Sequence, residues 1–204
     1  MSIFLIRHGE TASNKALVVQ TPDTPLSERG LEQARRLAGR LAAIGVASIL
    51  SSDMARAAMT ASELVESTGA SLELEVLLHE RNFGDLRGRA YADIGVDIFA
   101  PGFAPPGGEK WGAFHLRVDR AWQRIRECAA VAQGHLAVVT HGLVLHSILA
   151  RYVLLPEEMV PPRRYSRDGP PLHFGNTALT VLQDSAPWRV ELFSCTAHLD
   201  DDPA

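Results

Sequence analysis

The sequence has little cysteine: Cys128 and Cys195 are the only two in 204 residues, and their distant placement forms no metal or redox spacing. It has no apolar stretch of the ~18 residues needed to span a bilayer. It has no secretory core either, because Arg7-His8-Gly9-Glu10 interrupts the first apolar run, Ile3-Phe4-Leu5-Ile6. An excess of basic charge is also missing. Twenty Lys+Arg stand against 24 Asp+Glu, a formal net charge of −4, which gives nucleic acid or a membrane surface no electrostatic footing. No fixed-period repeat or low-complexity tract occurs. These absences predict a soluble, cytoplasmic protein forming a single domain over residues 1–204, with 46% hydrophobic residues to build its core.

What is present begins with a buried strand that ends in Arg7-His8-Gly9. This delivers a donor fork suited to phosphate or carboxylate, an imidazole and a flexible hinge to one point. Taken alone, His8 reads as an ordinary histidine at a strand end. Asn14 could turn its amide toward the same point, although an Asn in a loop is more often a turn residue. Ser27 caps a helix whose inner stripe runs Leu31, Ala34, Leu37, Leu41, Ile44 before Gly45, leaving Arg29, Arg35, Arg36 and Arg40 on a solvated face. A second strand, Ser48–Ser51, leads to a helix capped by Ser52 or Asp53. Arg56 lies in its first turn, where a cation is unfavourable unless an anion binds there too.

Leu72–Val76 alternates as a partly exposed strand, and a loop over residues 77–88 carries His79, Glu80 and Arg81. There a solvated glutamate is the simplest reading of Glu80. A Pro/Gly-rich segment at 100–109 reads as an irregular surface loop. A long helix to about Gln133 follows, then the apolar strand Leu136–Val139, which ends in Thr140-His141-Gly142 before another helix. Residues 178–182 and 189–193 suggest closing strands, and an acidic tail from about 199 is expected to fray. Alternating strands and helices imply an α/β fold, a three-layer α/β/α sandwich with a mostly parallel central sheet. His8 and His141 then share the carboxyl end of that sheet, where ligands bind.

In order, Arg7-His8-Gly9-Glu10-Thr11, Ser51-Ser52 with Arg56-Ala57 and Thr60-Ala61, Glu80 with Phe83-Gly84, Pro106-Gly107-Gly108-Glu109 and Thr140-His141-Gly142 resemble the motifs of the histidine phosphatase superfamily, also called phosphoglycerate mutase-like. The likeness runs from residue 3 to about 183 and includes Asn176-Thr177-Ala178 before a strand. The resemblance implies that His8 is the nucleophile and Glu80 the proton donor. It implies that Arg7, Arg56 and His141 with Gly142 bind phosphate oxygens, Asn14 assisting. It implies no cofactor and no metal, since two arginines supply the charge that phosphoryl transfer needs.

Two activities and one inactive reading follow. A mutase must shield its phosphohistidine from water. The segment between Gly88 and Trp111 is modest, and an acidic Asp200-Asp201-Asp202 tail would repel an anion, so a phosphatase acting on a small-molecule phosphate ester is favoured. The alternative is a cofactor-dependent phosphoglycerate mutase; an idle phosphate-binding module comes last. A homodimer stays an open option. His146, where many members carry arginine, His79, and the basic loop Arg163–Arg167, with a second acidic group or solvent as its partner, are left without firm roles.

Overall fold

A computed structural model describes residues 1–155, 172, 174–183 and 185–200. Six strands form one sheet in the order β3-β2-β4-β1-β5-β6. β1 (Ser2–Arg7), β2 (Val46–Ser51), β3 (Ser71–Leu74) and β4 (His135–Thr140) run parallel. β5 (Leu179–Gln183) and β6 (Val190–Cys195) close the sheet antiparallel.

The alternation of side chains along each strand divides the core in two. On one face Phe4, Ile6, Ile49, Ala137 and Val139 pack under helices α2 (Glu28–Ala42) and α3 (Ala55–Thr68). On the other Ile3, Leu5, Leu50, Leu136 and Val138 pack under α4 (Trp111–Val131) and α5 (Gly142–Tyr152). Residues 3–6 of β1 are therefore covered from both sides, which is why that run is apolar at every position. A single short helix, α1 (Ala12–Lys15), follows β1 and is closed by a reciprocal Thr11–Asn14 capping box.

The register places the functional ends. Arg7 pairs with Thr140 and Ser51 with Val139, so the residues after three neighbouring strands emerge side by side. The His8 amide donates to Thr140 O at 3.0 Å and the Ser52 amide to Val139 O at 3.0 Å.

Three local expectations need correction. Ile44 is 40% exposed, because α2 ends at Ala42 and the chain has turned before Ile44 could face the core. Met54 occupies the cap position of α3, and Ser52 instead accepts the Met54 amide from outside the helix. β3 stops at Leu74, and Val76–Leu78 forms a 3-10 turn. Ala197–Leu199 makes a further 3-10 turn, and His198 pairs with Thr177. The loop Arg163–Arg167 and residues 201–204 lie outside the described residues.

Candidate active site

His8 is 2% exposed and held through both ring nitrogens. Its Nδ1 donates to Gly9 O at 2.7 Å, and a carbonyl can only accept, so the proton resides on Nδ1. Nε2 therefore carries a lone pair, which accepts from Arg56 Nε at 3.2 Å. Burial first, then Arg56 and Arg7, hold the His8 pKa well below 6.5 and keep the ring neutral.

The carbonyl of His8 is pinned from β5's approach. Asn176 Nδ2 donates to it at 3.2 Å and the Thr177 amide at 3.3 Å. Thr177 adopts φ 53°, a left-handed conformation unusual for a β-branched residue, at a fully buried position. Such local strain is concentrated where the surroundings over-determine the chain, here around His8.

His141 is fully buried, its ring centroid 5.2 Å from that of His8. Its Nε2 pairs with Ser52 Oγ at 2.9 Å, and its pKa too is driven well below 6.5, by burial before the neighbouring cations. Its Nδ1 and Arg7 Nε are buried without a hydrogen-bond partner among the described residues. Buried polar atoms are costly to leave unpaired.

A cavity of about 180 Å³ opens on these groups and is lined by Arg7, His8, Asn14, Arg56, Glu80 and Gly142 among others. The sequence-predicted residues other than His141 thus line one cavity, and His141 lies beside His8 without lining it. Asn14 gives its amide oxygen to the Thr11 amide and to Asn176. Gly142 begins α5, and a Cβ added there would meet nothing within 4 Å. Amides at the start of α3 are already engaged: Ala55 donates to Pro22 O, and Ala57 and Ala58 donate to Met54 O. Arg56 therefore acts through its side chain, anchored by NH1 to Thr21 O at 2.9 Å. Burial lowers its pKa to about 10, against the opposing pull of Glu80.

Glu80 is no solvated glutamate. Its oxygens accept from the Arg81 amide at 3.0 Å and the Leu143 amide at 3.3 Å. Burial still raises its pKa above the ordinary 4.5, outweighing those bonds and the pull of Arg56 and Arg7.

Sequence reasoning missed several supports. Ser52 steadies His141, Thr60 Oγ accepts the Gly9 amide at 3.1 Å, and Arg81 is buried in a cage of carbonyls from Glu109, Ile98 and Phe103 over the Trp111 ring. Serine and threonine after strand and helix starts are too common in sequence to signal such roles. Of the unassigned histidines, His79 pairs with Asp53, and His146 Nδ1 accepts the Leu172 amide at 3.0 Å. Among the described residues no group of three or more His, Cys, Asp or Glu could hold a metal ion, and no helix is long and apolar enough to cross a membrane.

Fold and site together define an α/β protein with a buried, neutral imidazole facing an arginine-lined pocket. Residues 3–183 match the histidine phosphatase superfamily (branch 1), and the chain belongs to that family. It is 29% identical to the probable phosphoglycerate mutase GpmB of Yersinia pestis over 98% of this chain and 95% of the relative. Among solved structures, Bacillus stearothermophilus YhfR superposes with a TM-score of 0.80 at 26% identity, covering 98% of this chain and 99% of the other. A mycobacterial glucosyl-3-phosphoglycerate phosphatase gives 0.77 at 26% identity, covering 95% and 99%. The α-ribazole phosphatase of Shigella flexneri gives 0.78 at 25% identity, covering 96% and 97%.

Proposed function

We propose that this protein is a metal-independent phosphomonoester hydrolase that works through a phosphohistidine on His8. The observation that carries the reading is the fixed tautomer of His8, with Nδ1–H on the Gly9 carbonyl and the Nε2 lone pair beside Arg56. The family and the phosphatases among its structural relatives support it.

In the first step the Nε2 lone pair forms a bond to phosphorus while the bond from phosphorus to the ester oxygen breaks. Glu80, whose protonated form is favoured by burial, gives its proton to the departing oxygen. Arg7 and Arg56, both lining the pocket, take the charge spread over the equatorial oxygens, with His141 beside His8. In the second step the Glu80 carboxylate removes a proton from water, whose oxygen attacks phosphorus as the P–N bond breaks. Inorganic phosphate leaves, His8 is neutral again and Glu80 is reprotonated.

The substrate is a small-molecule phosphate ester, and a reducing cytoplasm suits the two free thiols Cys128 and Cys195. One observation favours a second reading, phosphoglycerate mutase: the name carried by the Yersinia relative. Purified protein mixed with p-nitrophenyl phosphate and a chelator is expected to release nitrophenolate, and His8→Ala to abolish it. Undiminished turnover by that variant would sink the mechanism. With 3-phosphoglycerate and 2,3-bisphosphoglycerate, free phosphate is expected; rapid 2-phosphoglycerate with little free phosphate makes the protein a mutase.

A further inference from the structure

The cations around the pocket are not equivalent. Arg7 donates to Phe174 O, and Arg56 to Thr21 O and His8. Arg81 is saturated by three carbonyls, and Arg117 by Glu109 and the carbonyls of Leu77 and His79. Arg89 donates to Asp93 O. Arg87 differs: it is half-buried, and among the described residues its guanidinium has no hydrogen-bond or ion-pair partner. It lines the His8 cavity and also an adjoining one of about 320 Å³, the two sharing Met54, Glu80 and Arg87.

Charge sharpens the contrast. The carboxylates lining the two cavities are Glu80, which the proposed mechanism needs protonated, and Glu109, which Arg117 neutralises. Arg7 and Arg56 already match a phosphoryl dianion, so a third guanidinium is surplus to the transferred group. The His8 cavity is also walled by Phe83, Tyr91 and Phe99, the ring of Phe99 lying 6.3 and 6.2 Å from the other two. That surface suits an uncharged organic body better than a hydrated polyol.

We infer that Arg87 is the binding residue for a second acidic group, carboxylate or phosphate, on the leaving portion of the substrate. The inference rests on the reading that the pocket takes a phosphate ester. It gives a half-buried arginine with no side-chain partner among the described residues a function that solvation alone would not require.

The test compares phenyl phosphate with the three carboxyphenyl phosphates and a phenylene bisphosphate, on wild type, Arg87→Gln and Arg87→Lys. Wild type is expected to favour at least one acidic ester by about ten-fold in kcat/KM, mostly through KM, a discrimination equivalent to ~1.4 kcal/mol. Arg87→Gln is expected to erase the preference and Arg87→Lys to restore part of it. Because each ratio is taken within one variant, a folding defect cannot imitate the effect. The carboxylate and phosphate arms identify the group. Dissociation constants on His8→Asn protein repeat the comparison without turnover. Tighter, Arg87-dependent binding of an acidic ester by a protein that hydrolyses none of them refutes the hydrolase and keeps the site. Equal affinities, or an unchanged preference in Arg87→Gln, refute the site.

Discussion

Arg56 Nε donates to His8 Nε2 at 3.2 Å, joining the N-terminus of α3 to the end of β1. The bond serves the free enzyme, since a phosphoryl group arriving at Nε2 would have to displace it onto its own oxygens. Arg56→Lys keeps the charge but loses the planar fork that reaches His8, Thr21 and an oxyanion together. The variant is expected to lose about 10²–10³ in kcat, the range for removing one oxyanion donor. Steady-state hydrolysis of p-nitrophenyl phosphate measures it, and a lysine enzyme at near wild-type rate would contradict the assignment.

Glu80 is assigned both as acid for the leaving group and as base for water. Glu80→Gln is expected to spare the first step for p-nitrophenyl phosphate, whose leaving group needs no proton, and to slow the second. A burst of nitrophenolate stoichiometric with enzyme follows, whereas alkyl phosphates show no burst. Stopped-flow absorbance distinguishes the cases. In the wild type the acid limb of activity is expected below the ordinary histidine value of 6.5, because His8 stays neutral there. The alkaline limb for alkyl esters follows loss of the Glu80 proton, above the ordinary 4.5.

Much of this arrangement is legible in the sequence because strand register carries it. An apolar run ending in His-Gly, found twice, becomes two histidines side by side once β1 and β4 pair in parallel. Arg56 stands out as a cation in a place that helices disfavour. The supporting contacts are not legible. Ser52 to His141, Asn176 and Thr177 to the His8 carbonyl, and Arg81 in its carbonyl cage join residues far apart in sequence through geometry that composition does not encode. Glu80 reads as solvated because its neighbours are charged, yet those neighbours turn to other partners and leave it inside.

Five histidines shape stability against pH. His8 and His141 are held well below 6.5, His146 and His198 are lowered to about 4, and His115 is lowered as well, burial being the largest cause for each. The unfolded chain therefore binds more protons than the folded one between roughly 4 and 6.5, and stability falls as pH falls through that window. Glu80 opposes this, since its raised pKa makes the folded state the better proton binder just above 4.5. The histidines outnumber it, so urea midpoints are expected to drop from pH 7 to pH 5. His146→Asn, which keeps an acceptor for the Leu172 amide, is expected to flatten the slope. A midpoint independent of pH across this interval would remove the histidines from the account.

Gly9 reads in the sequence as a hinge, but its part in the fold is close approach. A Cβ there would meet Gly30 O at 2.5 Å, and a Cβ on Gly30 would meet Glu10 O at 2.0 Å, so two backbones touch where α2 begins. Both partners are main chain and cannot yield as a side chain tip can. Gly9→Ala is expected to cost about 2–3 kcal/mol or more, as overpacking against backbone does. At ~2–4 °C per kcal/mol for a domain of this size, the melting temperature should fall by about 5–10 °C. Gly39 is the internal control: it is exposed within α2, and a Cβ added there would meet nothing within 4 Å. Gly39→Ala is expected to raise stability by ~0.5–1 kcal/mol through helix propensity alone. Opposite signs for the same chemical change separate steric contact from backbone entropy. Equal effects at the two positions would mean that the β1–α2 approach is looser than these distances require.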